Sequence, residues 1–128
     1  MKYENALEHI DSGQLVPVYL FHGEESFFAE EFITKLRDSL FSPSERDMNY
    51  HVFDEAAFSE PRAGVAEMAD LARTMPFLSD HRMIVAHIDS LVSKSGSESK
   101  ERKEERETAV DNLVSYAEDP SPNVVIVL

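Results

Sequence analysis

Four short runs of apolar, β-branched or aromatic residues, Val16–Phe21, Tyr50–Phe53, Met83–Ile88 and Val124–Leu128, interrupt an otherwise polar chain. Nearly continuous runs of this length suit strands covered on both faces, as in a parallel sheet. Helix-period segments lie between them. Ser26–Phe41 places Phe28, Phe32, Leu36 and Leu40 four apart, one apolar stripe. Pro61–Arg73 opens on a proline, which the first helical turn tolerates, and carries Val65, Met68, Ala69, Leu71 and Ala72 on one side. Thr108–Ala117 repeats the pattern with Val110, Leu113, Val114 and Ala117, and Asp119-Pro120 stops it. Tyr3–Ile10 reads as a short helix at the edge. Helix and strand therefore alternate along the chain. That order predicts right-handed βαβ crossovers and an α/β fold, with helices on both faces of a parallel sheet.

At 128 residues and 42% hydrophobic content, the chain has the size and composition of one globular domain. The absence of cysteine excludes disulfides and thiolate metal sites and agrees with a reducing compartment. MKYENALEHI lacks the pattern of a signal peptide, and no apolar run approaches the roughly 20 residues of a membrane span. A cytoplasmic protein without membrane contact is expected. The net charge of −13 repels phosphate backbones, so any role near DNA is expected to run through a protein partner. Residues 93–107 (SKSGSESKERKEERE) are polar throughout, and every residue from Lys100 to Glu107 is charged. They are expected to form an exposed loop or helix start, the most mobile part of the chain. Asn123–Leu128 ends inside or just after an apolar strand, which suggests that residues 1–128 are the N-terminal domain of a longer protein.

The stretch PVYLFHGEESFFAEE joins the first strand to a helix through Gly23, the arrangement in which many α/β proteins seat a phosphate. A Walker-type loop needs a second glycine, a lysine and a hydroxyl residue five to seven positions after the first glycine. Counted from Gly23, those positions hold Phe28, Ala29 and Glu30, while Glu24 and Glu25 add negative charge. The loop is thus a degenerate nucleotide loop, and neither ATP nor another cofactor is expected. Gly23 then serves a tight turn, Glu24 and Glu25 favour the helix N-terminus, and Phe27 and Phe28 are expected as core or near-core anchors. The scattered His22, His51, His81 and His87 show no metal-ligand spacing, and His9 and His51 are expected at the surface. No catalytic residue and no metal site is expected.

Four motifs together resemble the N-terminal domain of the delta subunit of bacterial DNA polymerase III, a clamp-loader component. They are PVYLFHGEESFFAEE; YHVFDEAAF, a strand ending in an acid; LARTMPFLSDHRMIVAHID, with the family's Pro-x-x-Ser-x-x-Arg turn before a strand; and YAEDPSPNVVIVL. The third is the most specific, and the similarity spans nearly the whole chain. The resemblance implies a three-layer RecA-like fold of AAA+ proteins with strand order 5-1-4-3-2, here truncated after the fourth strand so that the first strand is an open edge. It implies an ATPase relative without a working ATP site. Ala86-His87-Ile88-Asp89, at the end of the third strand, lacks the paired acids of active relatives.

The resemblance further implies a subunit of the polymerase III holoenzyme with no catalysis of its own. Its partners would be the sliding clamp (the beta subunit), which it binds and helps open, and the gamma/tau and delta prime subunits; DNA would be met only through the complex. The clamp-binding residues carried over are Phe77 and Leu78 within Met75-Pro76-Phe77-Leu78-Ser79, in the reverse of the family's usual Leu-Phe order. Pro76 stiffens the approach and Ser79-Asp80 ends the turn, an arrangement that suits an exposed apolar tip. From the residues alone, Phe77 and Leu78 serve equally well to close the core beneath the third strand. An alternative is a phospho-accepting receiver domain with Asp54 as acceptor. Against it, the chain has no lysine at a strand terminus and ends at the fourth strand.

Overall fold

The computed structural model describes residues 3–21, 26–76, 79–92 and 99–128. Helix α1 (Tyr3–Ser12) leads to strand β1 (Val18–Tyr19), and helices α2 (Ser26–Leu40) and α3 (Pro43–Asn49) lead to β2 (Tyr50–Phe53). A 3-10 turn (Glu55–Phe58) and α4 (Pro61–Ala72) precede β3 (Arg82–Ala86). The short α5 (Asp89–Val92) and the long α6 (Lys100–Glu118) precede β4 (Val124–Val127). The four strands form one sheet in the order β1-β4-β3-β2, every pair parallel. This is the order expected for the first four strands of the family fold, with β1 paired to β4 alone among the described residues.

The continuous apolar runs are central because they are covered twice. Every residue of β3 and β4 is buried, and successive side chains point to opposite faces. On one face Met83, Val85, Val125 and Val127 meet Phe32 and Leu36 of α2 and Ala6 of α1. On the other, Ile84, Ala86, Val124 and Ile126 meet Phe58, Val65 and Met68, together with Ala109 and Tyr116 of α6. The result is a helix–sheet–helix sandwich in three layers. The edge strands are shorter or more open. β1 has only two paired residues, although its ladder runs on through Ile126 N–H to Pro17 O (2.9 Å) and Phe21 N–H to Leu128 O (3.0 Å).

Several expectations need correction. Phe27 and Phe28 are not core anchors: they are 71% and 45% exposed. The α2 stripe reaches the sheet only from Phe32 on. One turn earlier, the Phe28 ring packs on Tyr3 of α1 at 4.8 Å and on Phe27 at 5.7 Å. α6 begins at Lys100, not Thr108, because Ser99 caps it by accepting the Arg102 N–H at 3.1 Å. Of its expected inward stripe, Val110 and Leu113 do pack against the core, but the centre of the buried face lies beside them. Arg106, Ala109 and Tyr116 are buried, while Val114 is exposed. Of the charged segment 93–107, residues 93–98 lie outside the described residues, and the remainder is this capped helix start. Arg106 in it is buried and donates to Leu91 O at 3.1 Å. His9 is part-buried, 2.9 Å from the Tyr19 hydroxyl, rather than a free surface residue.

Candidate functional site

Because all four strands run the same way, the sheet has one carboxyl edge and one amino edge. The turn after β1, where a nucleotide would sit in an α/β protein, belongs to the carboxyl edge. The turn between α4 and β3 belongs to the amino edge. The two stretches singled out in the sequence therefore lie at opposite ends of the sheet.

At the carboxyl edge, Gly23 lies outside the described residues. Phe28, Ala29 and Glu30 occupy the first turn of α2, with Phe28 and Glu30 exposed and Ala29 half-buried. An exposed ring and a carboxylate offer a phosphate no positive charge and no hydrogen-bond donor, and the carboxylate repels it. Asp54, at the end of β2, caps the 3-10 turn by accepting the Ala57 N–H at 3.2 Å. Among the described residues no cluster of His, Asp or Glu is placed to hold a metal ion. No helix among them is long and apolar enough to cross a membrane. A groove of about 350 Å³ between α4 and α6, lined by Glu60, Arg62, Ala63, Ala66, Glu105 and Asn112, contains none of the residues singled out above.

At the amino edge, the chain entering and leaving the α4–β3 turn is tied down on both sides. On the entry side, Thr74 closes the helix by donating its hydroxyl to Asp70 O at 2.9 Å and its N–H to Leu71 O at 3.1 Å. Arg73 lies over the Tyr116 ring at 4.6 Å and donates to the Ser121 hydroxyl at 3.1 Å, which joins α4 to the segment before β4. On the exit side, the Ser79 hydroxyl accepts the His81 N–H at 3.3 Å. Arg82, the first residue of β3, is 4% exposed and reaches back across the turn. Its Nη2 donates to Met75 O at 2.9 Å, its Nη1 lies 2.7 Å from His51 Nε2 on β2, and its backbone N–H donates to Asn123 O at 3.0 Å. Met75 itself is 84% exposed, and Pro76 is half-buried. Phe77 and Leu78, the residues carried over from the resemblance, lie outside the described residues.

The electrostatics follow from this packing. Burial, and then the Arg82 charge, hold the His51 imidazole below its ordinary pKa, with a hydrogen bond to the Met48 backbone opposing them. A neutral imidazole accepts from Arg82 through Nε2 and carries its own proton on Nδ1. Burial also lowers the Arg82 pKa. On the flanking α3, the Glu45 carboxylate accepts the Ser42 hydroxyl at 2.7 Å and the Ser42 N–H at 3.1 Å. These bonds, with a smaller contribution from the Ser79 side chain, hold its pKa below the usual carboxylate value. α3, β2, α4 and the segment before β4 thus converge on one turn.

The family model described as DNA polymerase III, delta subunit, matches residues 19–128. The chain belongs to the DNA polymerase III delta subunit family. The delta subunit of DNA polymerase III from Bacillus subtilis (strain 168) is 28% identical over 119 residues, 93% of this chain and 31% of that protein. The solved structure of the Bacillus subtilis DNA clamp loader delta protein matches with a TM-score of 0.78 at 24% identity. That match covers 99% of this chain and 34% of the other, and it shows the shared fold. This delta-family chain spans about a third of the length of both relatives. Membership of this family replaces the receiver alternative, and Asp54 has a structural task as a cap.

Two strand residues beside the turn, Arg82 and His51, had no role assigned from the sequence of this delta-family chain. Arg82 stands in the Pro-x-x-Ser-x-x-Arg motif, and its place at the head of an apolar strand was the available signal. His51 was expected at the surface. It is part-buried, because Arg82 covers it from the neighbouring strand.

Proposed function

We propose that this chain is the N-terminal, clamp-binding domain of a clamp-loader delta subunit. It binds the sliding clamp, helps open it for loading onto DNA during replication, and hydrolyses no ATP itself. The contact centres on Phe77 and Leu78, flanked by Met75 and Pro76. Other loader subunits of the gamma/tau and delta prime type are its further partners, and DNA is reached only through the assembled complex.

The observation that carries this reading is Met75. A large apolar side chain stands 84% exposed at the mouth of a turn whose entry and exit are both fixed by hydrogen bonds. Scattered exposed apolar residues need no explanation. One whose backbone carbonyl is fixed by Arg82, immediately before Pro76, is suited to a partner's pocket, since a fixed backbone there loses less conformational entropy on binding. The acidic chain, at −13, fits a protein partner better than a direct DNA contact. The reading is tested by gel filtration of the chain with its cognate sliding clamp. Co-elution as a complex is expected, and separate elution at micromolar concentrations would refute it.

A further inference from the structure

Of the described cations, Arg82 is the most deeply buried. The sequence holds 25 carboxylates, yet none described lies within ion-pair distance of it. Its Nε–H is buried with no hydrogen-bond partner among the described residues. Stability alone does not explain such a residue, because an apolar side chain of similar volume usually packs at lower free-energy cost than a buried charge without a counterion.

What the guanidinium does is join parts. One arm holds the Met75 carbonyl outside α4, and the other holds His51 on β2. The backbone N–H of the same residue is fixed to the turn before β4. The rigid planar fork serves the two acceptors from two separate nitrogens, whereas the three donors of a lysine ammonium all radiate from one freely rotating nitrogen. The anchored carbonyl is at an informative position. Met75 precedes a proline and is restricted to extended backbone, and the Pro76 ring fixes its own φ. With the Met75 carbonyl held, few torsions remain free before residue 77.

We propose that Arg82, with neutral His51 as its acceptor, is a positioning residue: it sets the direction in which Met75-Pro76 leaves α4, and so how Phe77 and Leu78 meet the clamp. The part concerning the clamp rests on the function proposed above. The role is preorganisation of the turn, distinct from contact with the partner.

The test has two arms on the full chain. In the first, backbone amide order parameters are measured by NMR for Thr74, Met75 and Ser79 through His81, without any clamp. Wild type is expected near the rigid value of about 0.85, and Arg82→Met to fall below about 0.6 at these amides while β3 and β4 stay rigid. His51→Leu, which removes the acceptor, is expected to loosen the same amides. His51→Gln, which keeps an acceptor within reach of Arg82, is expected to restore them. If Arg82→Met does not fold, the two His51 variants decide. Unchanged order parameters at the turn, or loosening spread evenly over β3 and β4, would overturn the proposal.

In the second arm, Arg82→Met is expected to weaken clamp binding about tenfold, the scale of one hydrogen bond to a charged group. On a Phe77→Ala/Leu78→Ala background it should weaken binding no further. Equal weakening on both backgrounds would overturn the proposal. If wild type binds no clamp while the order parameters respond as stated, the function reading fails and the positioning role of Arg82 stands.

Discussion

A β-carbon added to Gly64 would lie 2.3 Å from the carbonyl oxygen of Ala57. Helix α4 passes so close to the 3-10 turn that only a hydrogen fits, and the Phe58 ring closes the same space at 2.8 Å. In an open helix Gly→Ala stabilises by about 1 kcal/mol. Here the obstacle is backbone, which yields little, and overpacking of this kind costs about 1–3 kcal/mol. Gly64→Ala is therefore expected to lower the urea unfolding midpoint. A raised midpoint would contradict this close approach.

Phe32 and Phe28 sit one turn apart on α2 but in different surroundings, fully buried and 45% exposed. Phe32 packs on both Tyr19 and Phe21, at 4.8 and 5.3 Å. Phe32→Ala is expected to destabilise by about 3–5 kcal/mol, the range for a buried aromatic residue. Phe28→Ala should cost well under half of that. Equal losses in chemical denaturation would return Phe28 to the core, where the spacing of its stripe first put it.

Stability should depend on pH through His51. Its folded pKa lies below the ordinary 6.5, so under mildly acid conditions the unfolded chain binds the proton more readily. The stabilisation is complete above pH 6.5 and is lost as pH falls through the folded value, where a second cation would face Arg82. Glu45 acts with the same sign in a lower window, since its carboxyl lies below the ordinary 4.5 and its share is lost as pH falls below that. Acid also relieves the self-repulsion of a −13 chain, so the comparison with a variant isolates the effect. The melting temperature of wild type relative to His51→Gln is expected to drop between about pH 7 and pH 5. A constant difference would show that His51 titrates as a free imidazole.

The layered fold was legible because β3 and β4 are apolar on both faces, a pattern that few alternatives satisfy. α3 was not, since Pro43–Asn49 is polar and owes its start to the Ser42–Glu45 cap rather than to an apolar stripe. The inward face of α6 was found only in part, through Val110 and Leu113, for a related reason. Arg106 and Tyr116 bury apolar bodies behind polar tips, and a reading of apolar residues alone passes over them. The position of the Met75-Pro76 turn came from its motif. The pairing of Arg82 with His51 did not, because it spans 31 residues and depends on the register of β2 against β3.

Calorimetric titration with Mg-ATP is expected to show no binding. Phe28 and Glu30 at the start of α2 offer a triphosphate no cation, and one of them adds a negative charge. Saturable binding in the micromolar range would contradict the degenerate loop, although it would leave the amino-edge site untouched.

The most direct measurement is a fluorescence titration of wild type and of Phe77→Ala/Leu78→Ala against the cognate sliding clamp. Truncating a buried aromatic anchor costs about 2 kcal/mol or more, so the double variant should bind at least about 30-fold more weakly while unfolding at the same urea concentration. Undiminished affinity in the double variant would contradict the account, because the clamp would then be held by another surface.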